Sequence, residues 1–186
     1  MPHVPQNDRN WRAFKKGSRE AFECIYREHI RDLLNYGYKV TTDRRIIEDS
    51  IQDLFVELWN GRETVSETTS VRFYLFKALR YKIVRNLKSG GVFLLDELTE
   101  DCESMTESSY EHDLIALEVQ SAQAANLREL ISTLPARQRE AINLRYYHNF
   151  TNEEIAHIMG VNYQSACKFI YTGLKNLKRN LEVSVM

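Results

Sequence analysis

Apolar residues recur at intervals of three and four along most of this 186-residue chain, the spacing of helices that bury one face. Ser18 stands as an N-cap with Glu20 in the first turn, and Phe22, Ile25, Tyr26, Ile30, Leu33 and Leu34 follow at helical spacing. Asp43 caps a second stripe of Ile47, Ile51, Leu54, Phe55 and Leu58, which ends near Gly61. A polar loop, RETVSETTS, leads to a third helix from about Ser70 to Lys88. There Leu75, Phe76, Leu79, Ile83 and Leu87 share one arc, with Lys77, Arg80, Tyr81, Arg85 and Lys88 opposite and no acid among them. Cations neutralise phosphate and aromatic rings stack on exposed bases, so this face suits nucleic acid better than bulk water alone requires.

The C-terminal third carries a sharper pattern. Residues 113–132 read as one amphipathic helix, and Pro135 suits the first turn of the next. Beyond it the chain divides into three helices. Thr151 and Glu154 form a T-x-x-E capping box for a short helix through Ile155, Ile158 and Met159. Gly160 supplies the turn, Val161 a buried anchor, and Asn162 the cap of a long last helix. Short helix, glycine turn, long helix is the helix-turn-helix arrangement, whose second helix enters the major groove. Ala166, Ile170, Leu174, Leu177 and Leu181 form its expected buried stripe, with Gln164, Lys168, Tyr171, Lys175 and Arg179 on the other side. Gln pairs with an adenine edge and Lys with guanine or phosphate.

Composition narrows the fold. Gly and Pro number 7 and 3, too few for the turns of a β-sandwich or barrel, so an all-α chain is expected. The formal net charge of −1 hides a segregation: +5 over residues 1–88, −9 with no Lys or Arg over 89–127, and +3 over 128–186. Two mildly basic domains, 1–90 and 113–186, are therefore expected on either side of an acidic linker, 91–112. The start, MPHVPQNDRN, has no apolar core, and no run approaches the length of a spanning helix. Three scattered cysteines outside CxxC pairs suit a reducing cytoplasm rather than a disulfide or zinc framework.

The strings IIEDSIQDLFVELW and SVRFYLFKALRYKIVRNL resemble region 2 of sigma-70 family sigma factors, and the stretch from Leu134 to Leu177 resembles region 4. Two such regions joined by a linker alone resemble the extracytoplasmic-function (ECF) subgroup. The resemblance implies a dissociable subunit of bacterial RNA polymerase with no catalytic residues, no cofactor and no metal. It implies that Asp49, Gln52, Asp53 and Trp59, with Leu58 nearby, dock on the clamp of the largest polymerase subunit. It implies that Phe73, Tyr74, Lys77, Arg80, Tyr81 and Arg85 bind the minus-ten element, the preceding loop holding a flipped base. The minus-thirty-five contacts would be Asn162, Tyr163, Gln164, Cys167 and Lys168. Family members often carry a basic residue at Cys167 and Thr172, and Asn at Tyr81, so the promoter bases are open. Core polymerase, promoter DNA and a membrane-anchored anti-sigma factor are the implied partners. The acidic linker would thread polymerase near its active centre and RNA exit path. The alternative from the helix-turn-helix alone is an ordinary transcription regulator, which has no need of IEDSIQDLFVELW or the basic-aromatic helix.

Overall fold

A computed structural model describes residues 6–65, 68, 70–89 and 127–184. The expected linker, 91–112, and most of the helix expected over 113–132 lie outside the described residues; within that helix, α5 spans 127–132. Among the described residues every regular element is helical, and the chain divides into two compact units. None of these helices is long and apolar enough to cross a membrane.

The N-terminal unit contains α1 (Gln6–Lys15), α2 (Arg19–Val40), α3 (Arg44–Asn60) and α4 (Val71–Ser89). The caps are those the sequence predicts. Ser18 Oγ accepts from the Ala21 amide at 3.1 Å, and Asp43 accepts from Arg45 and Ile46. Ser70 Oγ accepts from the Phe73 amide at 3.2 Å and starts α4. The core joins Ile25, Leu33 and Tyr36 of α2, Ile47 and Leu54 of α3, and Leu75, Phe76, Leu79 and Ile83 of α4. The helix missing from the sequence reading is α1. Its Trp11 and Phe14 are fully enclosed, Phe14 lying 5.7 Å from the Phe22 ring and Trp11 5.6 Å from Tyr74. Two apolar residues one turn apart are too weak a period to announce a helix.

The predicted α2 stripe splits in two. Ile25 and Leu33 are core, whereas Phe22, Tyr26, Ile30 and Leu34 line an open groove with Ile51, Gln52, Phe55, Val56 and Trp59 of α3. The α2–α3 crossing is close at Gly37, which is buried in the last turn of α2. A Cβ there would meet Ile47 Cγ2 at 2.6 Å. Gly37→Ala therefore lowers stability by about 1–3 kcal/mol, outweighing the helix propensity of alanine. Equal or higher stability of the variant in urea unfolding contradicts this packing.

The C-terminal unit contains α6 (Ala136–Ile142), a π-helical turn (Asn143–Tyr147), α7 (Asn152–Met159) and α8 (Tyr163–Ser184). Pro135 sits at the N-cap rather than inside the first turn. Leu134, Ile142 and Leu177 form a core with Leu130 and Ile131 packed against it. Gly173 lets α6 approach α8, because a Cβ there would meet Ile142 Cδ1 at 2.6 Å and Gln138 Cβ at 3.3 Å. One residue of the predicted α8 stripe departs from it, and one is untested. Leu174 is exposed, because α6 covers the Gly173–Leu177 side of the helix, and Leu181's side chain lies outside the described residues. Val161, the expected anchor, is half-buried.

His29 is a buried titratable group of the N-terminal unit, and its Nε2 is enclosed without a hydrogen-bond partner. Burial lowers its pKa first of all; Arg72 lowers it further, and Glu28 and Asp32 oppose the shift. The fold thus prefers neutral imidazole, and its contribution is present above the unfolded value near 6.5 and lost as pH falls below it. The expected outcome is a melting temperature that drops between pH 7.5 and 5.5, and drops less in His29→Gln. Equal slopes for the two chains would assign the acid sensitivity elsewhere.

Candidate docking and nucleic-acid interfaces

Three separate surfaces receive the residues singled out above. On α3, Asp49, Gln52 and Asp53 are exposed while Ile51, Leu54, Phe55 and Leu58 point inward. Glu48 and Gln52 stand in the wall of the apolar groove, and Asp49 and Asp53 follow each by one residue on the solvent side. Trp59 is half-buried at the groove's end, 5.1 Å from Phe22, with the Arg62 guanidinium 4.9 Å above its ring. Tyr26 and Val56 are exposed apolar residues on the same groove. An acidic row beside an open apolar groove matches a partner with basic and apolar groups together.

The α4 surface has two adjoining rows. Phe73, Lys77 and Arg80 form one, with Lys77 Nζ 6.0 Å from the Phe73 ring. Tyr74, Tyr81 and Arg85 form the other. Tyr81 is 68% exposed and Arg85 is exposed. Tyr74 is half-buried against Trp11, so its ring is held rather than loose. Its hydroxyl pKa is raised, mainly by burial and further by Glu57.

Glu57 is exposed on α3. It reaches α4, where its Oε2 lies 2.6 Å from Lys82 Nζ. The Lys82 side chain is only 6% exposed against 63% for Glu57. The hydrogen bond from Lys82 is the main reason that the Glu57 carboxyl sits below its ordinary range. No acid precedes or follows within α4, yet its neighbour supplies one at the edge of the cationic face. Asn86 Nδ2 donates to the buried Ser50 Oγ at 3.1 Å, a second polar tie between the same helices. A 25-residue separation hides the first pairing, and a 36-residue separation the second, from any local sequence pattern.

The third surface is the start of α8. Thr151 and Glu154 close the predicted capping box, with Thr151 Oγ1 accepting from the Glu154 amide and Glu154 accepting from the Thr151 amide. Gly160 is left-handed at φ 65°. Asn162 caps α8, its Oδ1 accepting from the Ser165 amide at 2.7 Å. Tyr163, Gln164 and Lys168 are exposed and Cys167 is half-buried. The structure brings Tyr163 and Cys167 together with Asn152, which the sequence reading did not single out. No periodicity relates Asn152 to α8, so only the folded turn could reveal it.

Ahead of α7 the chain reverses on Asn149, a non-glycine residue at φ 56°. The π-turn places the His148 amide on the Asn143 carbonyl at 3.2 Å, and the Phe150 amide then meets the Leu144 carbonyl at 3.1 Å. Arg145 Nη1 donates to the Phe150 carbonyl at 3.0 Å, which fixes the entry to the helix-turn-helix. Asn tolerates this backbone because its short side chain clashes little; alanine does not. Asn149→Ala is expected to cost about 1 kcal/mol and Asn149→Gly to be neutral within a few tenths. Thermal unfolding in which the two variants behave alike would contradict it.

Sequence and structural comparisons identify the family. The family description "Sigma-70 region 2" matches residues 25–91, and "Sigma-70, region 4" matches residues 124–177. The chain belongs to the sigma-70 family, and its fold is an all-helical pair of region 2 and region 4 domains. Within that family it is an ECF RNA polymerase sigma factor, a transcription initiation factor and not an enzyme. The RNA polymerase sigma factor YlaC of Bacillus subtilis (strain 168) is 23% identical over 166 residues, 89% of this chain and 95% of that one. The ECF RNA polymerase sigma factor SigX of the same strain is 21% identical over 170 residues, 88% and 85% of the two chains. The sigma factor RpoE of Bartonella quintana, solved with the anti-sigma factor NepR, shares the fold at TM-score 0.61 and 20% identity. That match covers 87% of this chain and 97% of that one. An ordinary helix-turn-helix regulator has no region 2, so the alternative drawn from the C-terminal pattern is set aside.

Proposed function

We propose that each of the three surfaces carries one step of initiation. The α3 row of Asp49, Gln52 and Asp53, with Trp59 and the apolar groove beside it, docks on core RNA polymerase. The α4 face of Phe73, Tyr74, Lys77, Arg80, Tyr81 and Arg85 holds the melted minus-ten strand, where rings stack on bases that duplex DNA keeps paired. Asn162, Tyr163, Gln164, Cys167 and Lys168 read the minus-thirty-five element in the major groove. These roles fall to domains 1–90 and 113–186. The linker 91–112, within a stretch of nine acids and no bases, takes a polyanion's place in polymerase.

The observation that carries this reading is the acid row of α3 lying against an open apolar groove, a combination with no use in a free helical bundle. The proposed setting is the cytoplasm, supported by free cysteines at Cys24 and Cys167. A membrane-anchored anti-sigma factor is proposed as the regulator; the complex of the similar RpoE with NepR supports an anti-sigma partner. The chain's own work is binding: it chooses the promoter and stabilises separated strands, while polymerase supplies the chemistry.

The test is promoter-specific transcription reconstituted with core polymerase, alongside Asp53→Lys. Asp53 is exposed and unpaired with the core, so the variant folds normally, but it faces a basic clamp with the wrong sign. Core affinity is expected to fall by roughly tenfold or more, and transcription with it. Native circular dichroism with undiminished affinity for core would overturn the assignment of α3.

A further inference from the structure

The Glu57–Lys82 pair is lopsided: its cation is enclosed and its anion faces solvent. Lys82 Nζ lies 2.6 Å from Glu57 Oε2, with side-chain exposures of 6% and 63%. Around α4 the nucleic-acid face runs from Arg80 and Phe73 through Lys77 and Tyr81 to Tyr74 and Arg85, and Lys82 follows roughly 60° beyond Arg85. The carboxylate therefore stands on the border beside Tyr74 and Arg85, away from the Lys77 and Arg80 row. Its charge bears on both neighbours, on the Tyr74 hydroxyl and on Arg85.

This charge is fixed in position. Swinging Glu57 away would leave a buried ammonium without its counter-charge, which is strongly unfavourable. Asn86, one turn beyond Lys82, donates to the buried Ser50 of α3 at 3.1 Å, so the helix carrying the carboxylate does not slide along α4. A strand approaching from solvent meets the carboxylate first and the ammonium only behind it. The pair is neutral in sum, yet it presents its negative end. Every charged side chain that α4 itself contributes is a cation.

We propose that Glu57 is a specificity residue: its fixed carboxylate repels phosphate from the Tyr74 and Arg85 edge, so that a single strand is accepted with its backbone along Lys77 and Arg80 and its bases turned to Tyr74 and Tyr81. This rests on the reading of α4 as the face for the melted strand. Cations attract a phosphodiester chain of any sequence in any register, and rings stack on any base. A face with both and no acid would hold a mismatched strand nearly as well as a matched one. An anion at one edge penalises the registers that lay phosphate over the tyrosines and leaves the matched register untouched. Discrimination is a difference of affinities, and it grows when the wrong arrangement is weakened.

The experiment uses holoenzyme reconstituted from the full chain and core polymerase, bound to premelted promoter bubbles. The non-template strand of one bubble is the sequence that wild type enriches from a random pool; that of the other is oligo-dT. Wild type is expected to prefer the first. Two variants remove the carboxylate: Glu57→Gln alone, and Glu57→Gln with Lys82→Met, which strands no buried cation. Both should bind the oligo-dT bubble roughly threefold more tightly and the enriched bubble unchanged. The exchange of Glu57→Lys with Lys82→Glu keeps an ion pair between the helices but turns its positive end to the strand. It should recover melting temperature relative to Glu57→Gln, yet tighten oligo-dT binding further, to roughly tenfold over wild type. If the exchange instead restores the wild-type preference together with stability, the pair is structural and the proposal falls. Unchanged oligo-dT affinity in a folded Glu57→Gln, Lys82→Met protein overturns it too. A loss of core affinity of about tenfold in Glu57→Gln, at unchanged strand preference, assigns Glu57 to the docking row and also overturns it. Wild type that enriches no sequence, or binds both bubbles alike, overturns the assignment of α4 itself.

Discussion

Everything in the N-terminal unit turns on α4 being apolar on one side and cationic on the other. Leu75, Phe76, Leu79 and Ile83 are fully enclosed, and they hold α2 and α3 in one core. Burying them is worth on the order of 2 kcal/mol per side chain relative to exposure. The opposite side carries Lys77, Arg80 and Arg85, like charges that repel one another. Where the two sides meet, Lys82 is almost wholly buried, and an unpaired ammonium at that depth would be strongly unfavourable. Glu57 removes the difficulty from the neighbouring helix. The seam between core and cationic face is thus stabilised by the helix that bears the acid row, and α3 and α4 form one mechanical piece.

The aromatic residues extend that piece. Trp11, Phe14, Phe22, Phe55, Trp59 and Tyr26 make a chain of ring contacts 4.8–6.4 Å apart from α1 across α2 to α3. One end reaches Tyr74 on α4, and the other lines the open groove. The same packing therefore sets both a half-buried tyrosine on the nucleic-acid face and the shape of the docking surface.

Local features of the chain were legible in the sequence wherever a single element decides them. The caps at Ser18, Asp43, Thr151 and Asn162, and the left-handed Gly160, follow from short-range chemistry and appear as expected. The inward residues of α3 and α4 follow from period alone. What periodicity could not supply is the difference between a core and a groove. Phe22 and Tyr26 lie on the same apolar arc as Ile25, yet only Ile25 is fully covered, because among the described residues no helix lies over the other two. Helix α1 escaped for the complementary reason, two large rings doing what an extended stripe does elsewhere. Pairings across elements, Glu57 with Lys82 and Asn152 with Cys167, have no sequence signature at all.

Placing an acidic and a cationic surface on adjacent helices of one small body has a physical consequence. Helix α3 presents Glu48, Asp49 and Asp53, while α4 has six Lys and Arg residues and no Asp or Glu. The net charge of each surface is therefore set by its helix, and the near-neutral total of the chain says nothing about either. At physiological salt the screening length is about 8 Å, less than the width of a helix with its side chains. The two faces consequently present opposite fields to opposite partners with little mutual cancellation. The exception is the seam, where Glu57 and Lys82 are in contact and half the pair is shielded from solvent. Electrostatic change on one face is felt on the other most directly through that pair, the closest contact of opposite charges between the two helices.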